Sequence, residues 1–302
     1  MEAYSVRKIL TPNGLFVYDK LTGLCVFTPE VKSRSWVKPL YAQIALTERC
    51  NLSCWFCYSR SSPDRGLEWE VDELKRLIDF LDSWGLFGVS LGGGEPFLYP
   101  HLIEVASYAW RKTGLDVTVT TNGSTVSEAE IAELEGCVSE VRVSVRNAES
   151  LAYLRKFTGR NFDVGANLML FRNGAEQLEA LIRETLKAGV SDFLITSFLA
   201  AGRGRAYANM EPVAQDYIAL AEVIRRYAGR ATFKVSSRVA EALRVRVGAF
   251  IPFEGEARGR IIAITVDGKV KLSSLSQEAV SFNNIEEIPK AYYTLVQKTD
   301  FR

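Results

Sequence analysis

Histidine is almost missing from this chain: His101 is the only one in 302 residues. Mechanisms that rely on imidazole as general base lose their usual group, and any metal site needing two histidines is excluded. An excess of charge of either sign is missing too, since 37 lysines and arginines against 36 acids leave a net charge of +1. Without a basic field, nucleic acid is not an expected partner. No apolar run reaches the roughly 18 residues that a membrane helix requires, so no membrane partner is expected either. The opening Met1-Glu2-Ala3-Tyr4-Ser5 carries an acid and lacks the apolar stretch of a secretory signal. The expectation is a soluble, cytoplasmic protein. Heptads, low-complexity tracts and sequence repeats are also lacking.

What is present begins with size: 302 residues at 47% apolar composition bury a sizeable core, as one large domain or one with a small appendage. Five cysteines occur, Cys25, Cys50, Cys54, Cys57 and Cys137. The odd count, with three crowded into eight residues, argues against a disulfide framework and for thiolates that serve as ligands or nucleophiles in a reducing compartment.

β-rich runs alternate with amphipathic helical stretches from residue 41 to about 230. The spacing predicts strands over 41–47, 88–91, 116–121, 140–145, 163–170 and 192–198. Helices are predicted over 71–84, 101–113, 127–134, 150–158, 174–188 and 212–227. In the first of these, Leu74, Leu77, Ile78 and Leu81 fall at i, i+3, i+4 and i+7. Ser127 with Glu130 has the form of a capping box. Six β-then-α units in succession imply parallel strands with right-handed crossovers, in an open doubly wound sheet or a barrel-like one. Two hairpins flank this core, one over 15–27 and one over 260–272 whose turn is Asp267-Gly268. The expected organisation is residues 1–40 as an N-terminal hairpin segment, 41–230 as the core, and 231–302 as a C-terminal α+β extension without cysteines.

Cys50-Asn51-Leu52-Ser53-Cys54-Trp55-Phe56-Cys57 is a C-x3-C-x2-C array directly after the first strand of the alternation. Ligands of parallel α/β sheets bind beyond the C-terminal ends of the strands, so the array lies where chemistry is expected. Soft thiolates select zinc, copper(I) or iron-sulfur clusters. Structural zinc wants a fourth ligand, for which only Cys25, Cys137 and His101 are on offer. A four-iron cluster on three protein ligands instead leaves one iron open to bind a substrate or cofactor.

This loop, with aromatic Phe56 before the last cysteine, resembles the signature of the radical S-adenosylmethionine (SAM) superfamily. Gly92-Gly93-Gly94-Glu95-Pro96, one unit later, is similar to the family's GGEP motif, which holds the SAM amino group. The resemblance implies cluster ligation by Cys50, Cys54 and Cys57, which are also the catalytic set. It implies SAM contacts from Phe56, Gly93, Gly94, Glu95, Pro96, Thr121 and Asn122 of Thr120-Thr121-Asn122-Gly123, Ser144, Asn167 and Arg203. Where many relatives carry an acid two residues after the serine, this chain has Arg146. The fold implied is a partial (β/α)6 TIM-like barrel, which settles the choice between open sheet and barrel.

The segment after residue 259 resembles the twitch or SPASM extension of peptide-maturing relatives, and the core also resembles the molybdenum-cofactor and PQQ-type branch. Ser273-Ser274 stands where such extensions place a cysteine, and no cysteine follows Cys137. Cys25 and Cys137 are read as packing residues and His101 as a helix-start residue. The resemblance implies a 4Fe-4S cluster and SAM as cofactors, reductive SAM cleavage to a 5′-deoxyadenosyl radical, and a low-potential electron donor of ferredoxin or flavodoxin type. The substrate expectation leans to a peptide, which can add a strand to an exposed edge. Small-molecule or cofactor biosynthesis is the alternative, and a non-catalytic iron-sulfur or zinc protein the third reading.

Overall fold

The computed structural model describes residues 6–11, 14–19, 24–29, 38–247 and 261–300. Strands β1 (Val6–Thr11), β2 (Gly14–Asp19) and β3 (Leu24–Pro29) form a three-stranded antiparallel sheet in that order. The β2–β3 pair is the hairpin expected over 15–27, apart from its turn at 20–23, which lies outside the described residues. β1 is additional.

The core follows the alternation closely. Strands β4 (Tyr41–Thr47), β5 (Gly88–Gly93), β6 (Asp116–Thr121), β7 (Glu140–Ser144), β8 (Asp163–Leu170) and β9 (Asp192–Ser197) are parallel neighbours in sequence order. Between and after them come α1 (Val71–Trp84), α2 (Leu102–Lys112), α3 (Glu128–Leu134), α4 (Ala148–Arg155), α5 (Ala175–Lys187) and α6 (Ala214–Tyr227). β10 (Thr232–Val235) extends the sheet parallel to β9 and leads into α7 (Ser237–Val247). At the opposite edge, β11 (Ile261–Thr265) pairs parallel with β4. β12 (Lys269–Lys271) and β13 (Val280–Ser281) complete a ten-stranded sheet, and α8 (Ile288–Asp300) packs over them. The expected hairpin over 260–272 is therefore present as β11–β12, with Gly268 at φ 70° in its turn.

Helix α1 shows why the sequence folds this way. Leu74, Leu77, Ile78 and Leu81 are all fully buried, each worth about 1.5–3 kcal/mol of transfer free energy. The helix stops at Gly85, whose left-handed backbone lets its N–H reach the carbonyls of Asp82 and Leu81. α4 starts two residues earlier than expected because Asn147 and Ser150 cap each other. The expected box of Ser127 and Glu130 is formed at α3.

One property of the sheet matters for function. Val89, Leu91, Val117, Val119, Val141 and Val143 point outward to the helices and are wholly buried. Alternate residues, among them Gln43, Ser90, Thr120, Arg142, Ser144, Asn167 and Thr196, point inward and are polar. Parallel strands covered on both faces are normally apolar throughout. Here the inner face lines a cavity of about 1550 Å³, larger than a single small ligand fills. No described helix is long and apolar enough to cross a membrane.

Candidate active site

The cavity is floored by inner-face residues of the strands and roofed by the cysteine loop after β4. Cys50, Cys54 and Cys57 all line it, Cys50 buried and the other two half-buried. Each sulfur has a polar neighbour. The Leu52 N–H donates to Cys50 Sγ at 3.4 Å, with Asn122 Nδ2 at 4.0 Å. Arg146 Nη1 donates to Cys54 Sγ at 3.1 Å, and Ser59 Oγ lies 3.3 Å from Cys57 Sγ. Burial pushes the Cys50 thiol pKa up, against the Leu52 hydrogen bond. Among the described residues no three Cys, His, Asp or Glu side chains converge closely enough to chelate one metal ion.

Two glycine contacts hold this loop in place. At its first end, the Gly94 N–H donates to Thr47 O at 2.7 Å and the Glu95 N–H to Arg49 O at 2.8 Å. A Cβ on Gly94 would lie 2.0 Å from Arg49 O. Its lack of a side chain is therefore required by the loop's own backbone, not only by a ligand. At the other end, Gly202 (φ 56°) lies where a Cβ would be 2.4 Å from Cys57 O, and the Arg203 N–H donates to that carbonyl at 3.0 Å.

Glu95 is 1% exposed yet lines the cavity. Thr121 Oγ1 donates to its Oε1 at 2.5 Å, the Asn122 N–H to Oε2 at 2.8 Å and the Phe97 N–H to Oε1 at 3.3 Å. Burial nonetheless pushes its pKa up, more than these donors and the field of Arg146 pull it down. It is a desolvated carboxylate with no cation bonded to it, the complement of an ammonium group. Asn122 ties this carboxylate to the cysteine loop through Nδ2 to Asn51 Oδ1 at 3.0 Å.

Of the other residues expected at the site, Phe56, Gly93, Gly94, Thr121, Asn122, Ser144 and Asn167 all line the cavity. Phe56 packs edge-on against Trp55 and Phe171 in an aromatic group that includes Phe198 and Tyr207. Pro96 opens the short 3-10 turn behind Glu95 and is buried. Asn167 Oδ1 accepts from Arg142 Nε at 2.8 Å. Arg203 turns away: its Nε donates to Cys54 O at 2.9 Å and its Nη2 to Ser61 O at 2.7 Å, so it grips the loop rather than the cavity. Cys137 is buried before β7, and His101 sits at the N-terminus of α2 with Nδ1 on Glu104 at 3.0 Å. Cys25 belongs to β3, and its side chain lies outside the described residues.

Sequence reasoning missed the ionic network of the barrel floor. Arg142 reaches Glu140, and Asp192 at 2.7 Å, while Lys234 lies 3.4 Å from Asp192. The Arg142 guanidinium crosses Gly165, where a Cβ would be 2.6 Å from Nη1. The signal was a charged residue at an inward position of an otherwise valine-rich strand.

Three thiols on one loop, a buried carboxylate beside them and a partial barrel around both define a site for a thiolate-bound metal cluster and an amine-bearing ligand. The sequence model of the radical SAM superfamily matches residues 44–216, and the chain belongs to that superfamily, whose members are enzymes using a 4Fe-4S cluster and SAM. A GTP 3′,8-cyclase of Chlorobaculum tepidum is 33% identical over 106 residues, 35% of this chain and 32% of that protein. The mycofactocin maturase MftC of Mycobacterium ulcerans is 28% identical over 200 residues, 60% of this chain and 54% of its own. The matched region thus spans about a third to about half of these relatives. SuiB of Streptococcus suis bound to S-adenosylmethionine superposes with a TM-score of 0.75 over 99% of this chain and 90% of SuiB, at 11% identity. SuiB bound to precursor peptide SuiA gives 0.73 at 12% identity, covering 95% and 88%.

Proposed function

We propose that this protein is a radical SAM enzyme that cleaves SAM reductively and draws a hydrogen atom from a substrate, which we read as a peptide. The observation that carries the reading is the buried Glu95 carboxylate, joined through Asn122 to the loop bearing Cys50, Cys54 and Cys57. The residues fit the cofactors: three thiols at hand for a cluster with one open iron, and an uncompensated carboxylate for an ammonium. Bound there, cluster and SAM supply one-electron cleavage of a sulfur–carbon bond, yielding methionine and, after hydrogen transfer, 5′-deoxyadenosine.

The chain's own residues bind, orient and exclude water. Cys50, Cys54 and Cys57 hold the cluster. Glu95, with Thr121 and Asn122 fixing its carboxylate, receives the SAM amino group. Ser144 and Asn167 present polar atoms from the next two strand ends, and Phe56 packs against Trp55 and Phe171 beside the cysteines. Arg203 is assigned to loop positioning through the carbonyls of Cys54 and Ser61. A carboxylate held this way has no use in a purely structural cluster protein, which weighs against the non-catalytic reading.

A peptide substrate is supported by the whole-length likeness to SuiB, itself solved with a precursor peptide, and by the three-stranded sheet, whose outer strands offer edges for strand addition. A ferredoxin- or flavodoxin-type donor would supply the electron. Anaerobic reconstitution with iron and sulfide, followed by SAM and dithionite, tests the activity. Methionine and 5′-deoxyadenosine are expected in equal amounts; a loaded cluster that produces neither overturns the reading.

A further inference from the structure

The cavity wall is far more basic than the molecule as a whole. Nine arginines and lysines line it against four carboxylates, in a chain whose net charge is +1. All four carboxylates are engaged: Glu48 with Arg65, Glu95 with Thr121 and Asn122, Glu140 with Arg142, and Asp267 with Lys269. Arg142, Lys234, Arg238 and Lys269 are ion-paired. The other five cations meet no carboxylate at ion-pair distance among the described residues.

Two of these five are informative. Lys271 lies on β12 opposite Ala263, half-buried, and its Nζ reaches only the Ser274 carbonyl, at 2.8 Å. Burial pulls its pKa down, more than the field of Asp267, itself paired with Lys269, holds it up. Arg172, just beyond β8, lines the cavity while exposed to solvent, and has no side-chain partner among the described residues. Deeper in, Arg142 Nη2 is buried without an acceptor. A half-buried cation such as Lys271 gains from an anion that meets it, and Arg172 offers its guanidinium to the same cavity.

The cofactors consume only part of this charge, Arg146 being already engaged with Cys54 Sγ. A thiolate-bound cluster is anionic and the SAM sulfonium cationic, so the two offset each other, and the SAM carboxylate accounts for one cation at most. We propose that the substrate carries oxyanions, carboxylate or phosphate, and that Arg172 and Lys271, which both line the cavity, hold them. This assignment rests on the proposed radical SAM function and names the substrate class for that site.

Calorimetric titration of the reconstituted, SAM-loaded, full-length enzyme tests it, with cluster content measured on the same samples. The probes are inorganic tripolyphosphate, an acetylated tetraglutamate peptide and its tetraglutamine counterpart. At least one anionic probe should bind while the glutamine peptide does not. Tighter binding of tripolyphosphate marks a phosphorylated small molecule, and tighter binding of the glutamate peptide marks an acidic peptide. Arg172→Gln combined with Lys271→Gln should weaken the bound probe about tenfold or more. The charge-keeping pair Arg172→Lys with Lys271→Arg, and Lys112→Gln on the outer face of α2, should retain it. Failure of both anionic probes to bind a cluster-loaded enzyme overturns the inference and leaves the SAM reading standing. Binding unchanged in the glutamine double variant also overturns it. Anion binding by protein that takes up no cluster would instead count against the radical SAM reading.

Discussion

The two flanks of the cavity are built on different rules. The flank under the cysteine loop is made of three short motifs at the ends of β4, β5 and β6, joined by backbone hydrogen bonds from Gly94 and Glu95 to Thr47 and Arg49. The other flank has no motif; its cations, Arg172 just beyond β8, Lys234 on β10, and Lys269 and Lys271 on β12, come from separate strands of one sheet. The first flank has little freedom, because Gly94 and Glu95 are hydrogen-bonded to Thr47 and Arg49 and a Cβ on Gly94 would meet Arg49 O. The second is tied by no such contiguous motif.

If that contrast is right, changes on the first flank should abolish the site and changes elsewhere should tune it. Replacing any of Cys50, Cys54 or Cys57 with Ala should remove essentially all cluster absorbance after reconstitution, with far-ultraviolet circular dichroism unchanged; a full cluster in any of the three would break the ligand assignment. Gly94→Ala comes next: the collision with Arg49 O should cost about 3 kcal/mol in denaturant unfolding and most of the bound iron. Gly136→Ala is its control, since only a positive φ of 74° opposes a Cβ there, and about 1 kcal/mol with iron retained is expected.

Glu95→Gln should retain the cluster but weaken SAM about 10- to 100-fold by equilibrium dialysis, the value of a charge-assisted bond. The same variant carries a pH signature. Because burial raises the native pKa of Glu95, its contribution to stability is complete below the ordinary glutamate pKa and is lost as pH climbs through the raised value. Melting temperatures of the SAM-free protein should therefore fall more from mildly acid to neutral pH in the wild type than in Glu95→Gln, and parallel curves would show that the carboxylate is not desolvated. The smallest effect is expected for Cys137→Ala, about 1 kcal/mol of stability and no change in iron content, because this thiol only fills space before β7.

The same contrast explains what could be read before the structure. The strands and helices of the core were legible to within three residues, because apolar spacing and caps such as Ser127 with Glu130 act locally. So were the cysteine loop and the glycine-glutamate turn, which are contiguous. Arg203 was placed against the cofactor from its position after a strand, yet it grips carbonyls of Cys54 and Ser61, a pairing that only the folded chain creates. The inward cations were visible as polar residues at every second position of the strands. They break the apolar-on-both-faces pattern that buried parallel strands normally follow. β1 is itself a β-rich run beside Gly14, which opens β2 opposite Thr11.

The central claim is that the three thiols and Glu95 serve one site, with SAM bound against the open iron of a cluster. Electron-nuclear double resonance of the reduced, reconstituted enzyme with SAM labelled with nitrogen-15 at its amino group reads that contact directly. A nitrogen coupling to the cluster that is present in the wild type and lost in Glu95→Gln is the result expected. A reduced cluster that shows no coupling to the labelled amine in the wild type, while SAM is bound, would contradict the account.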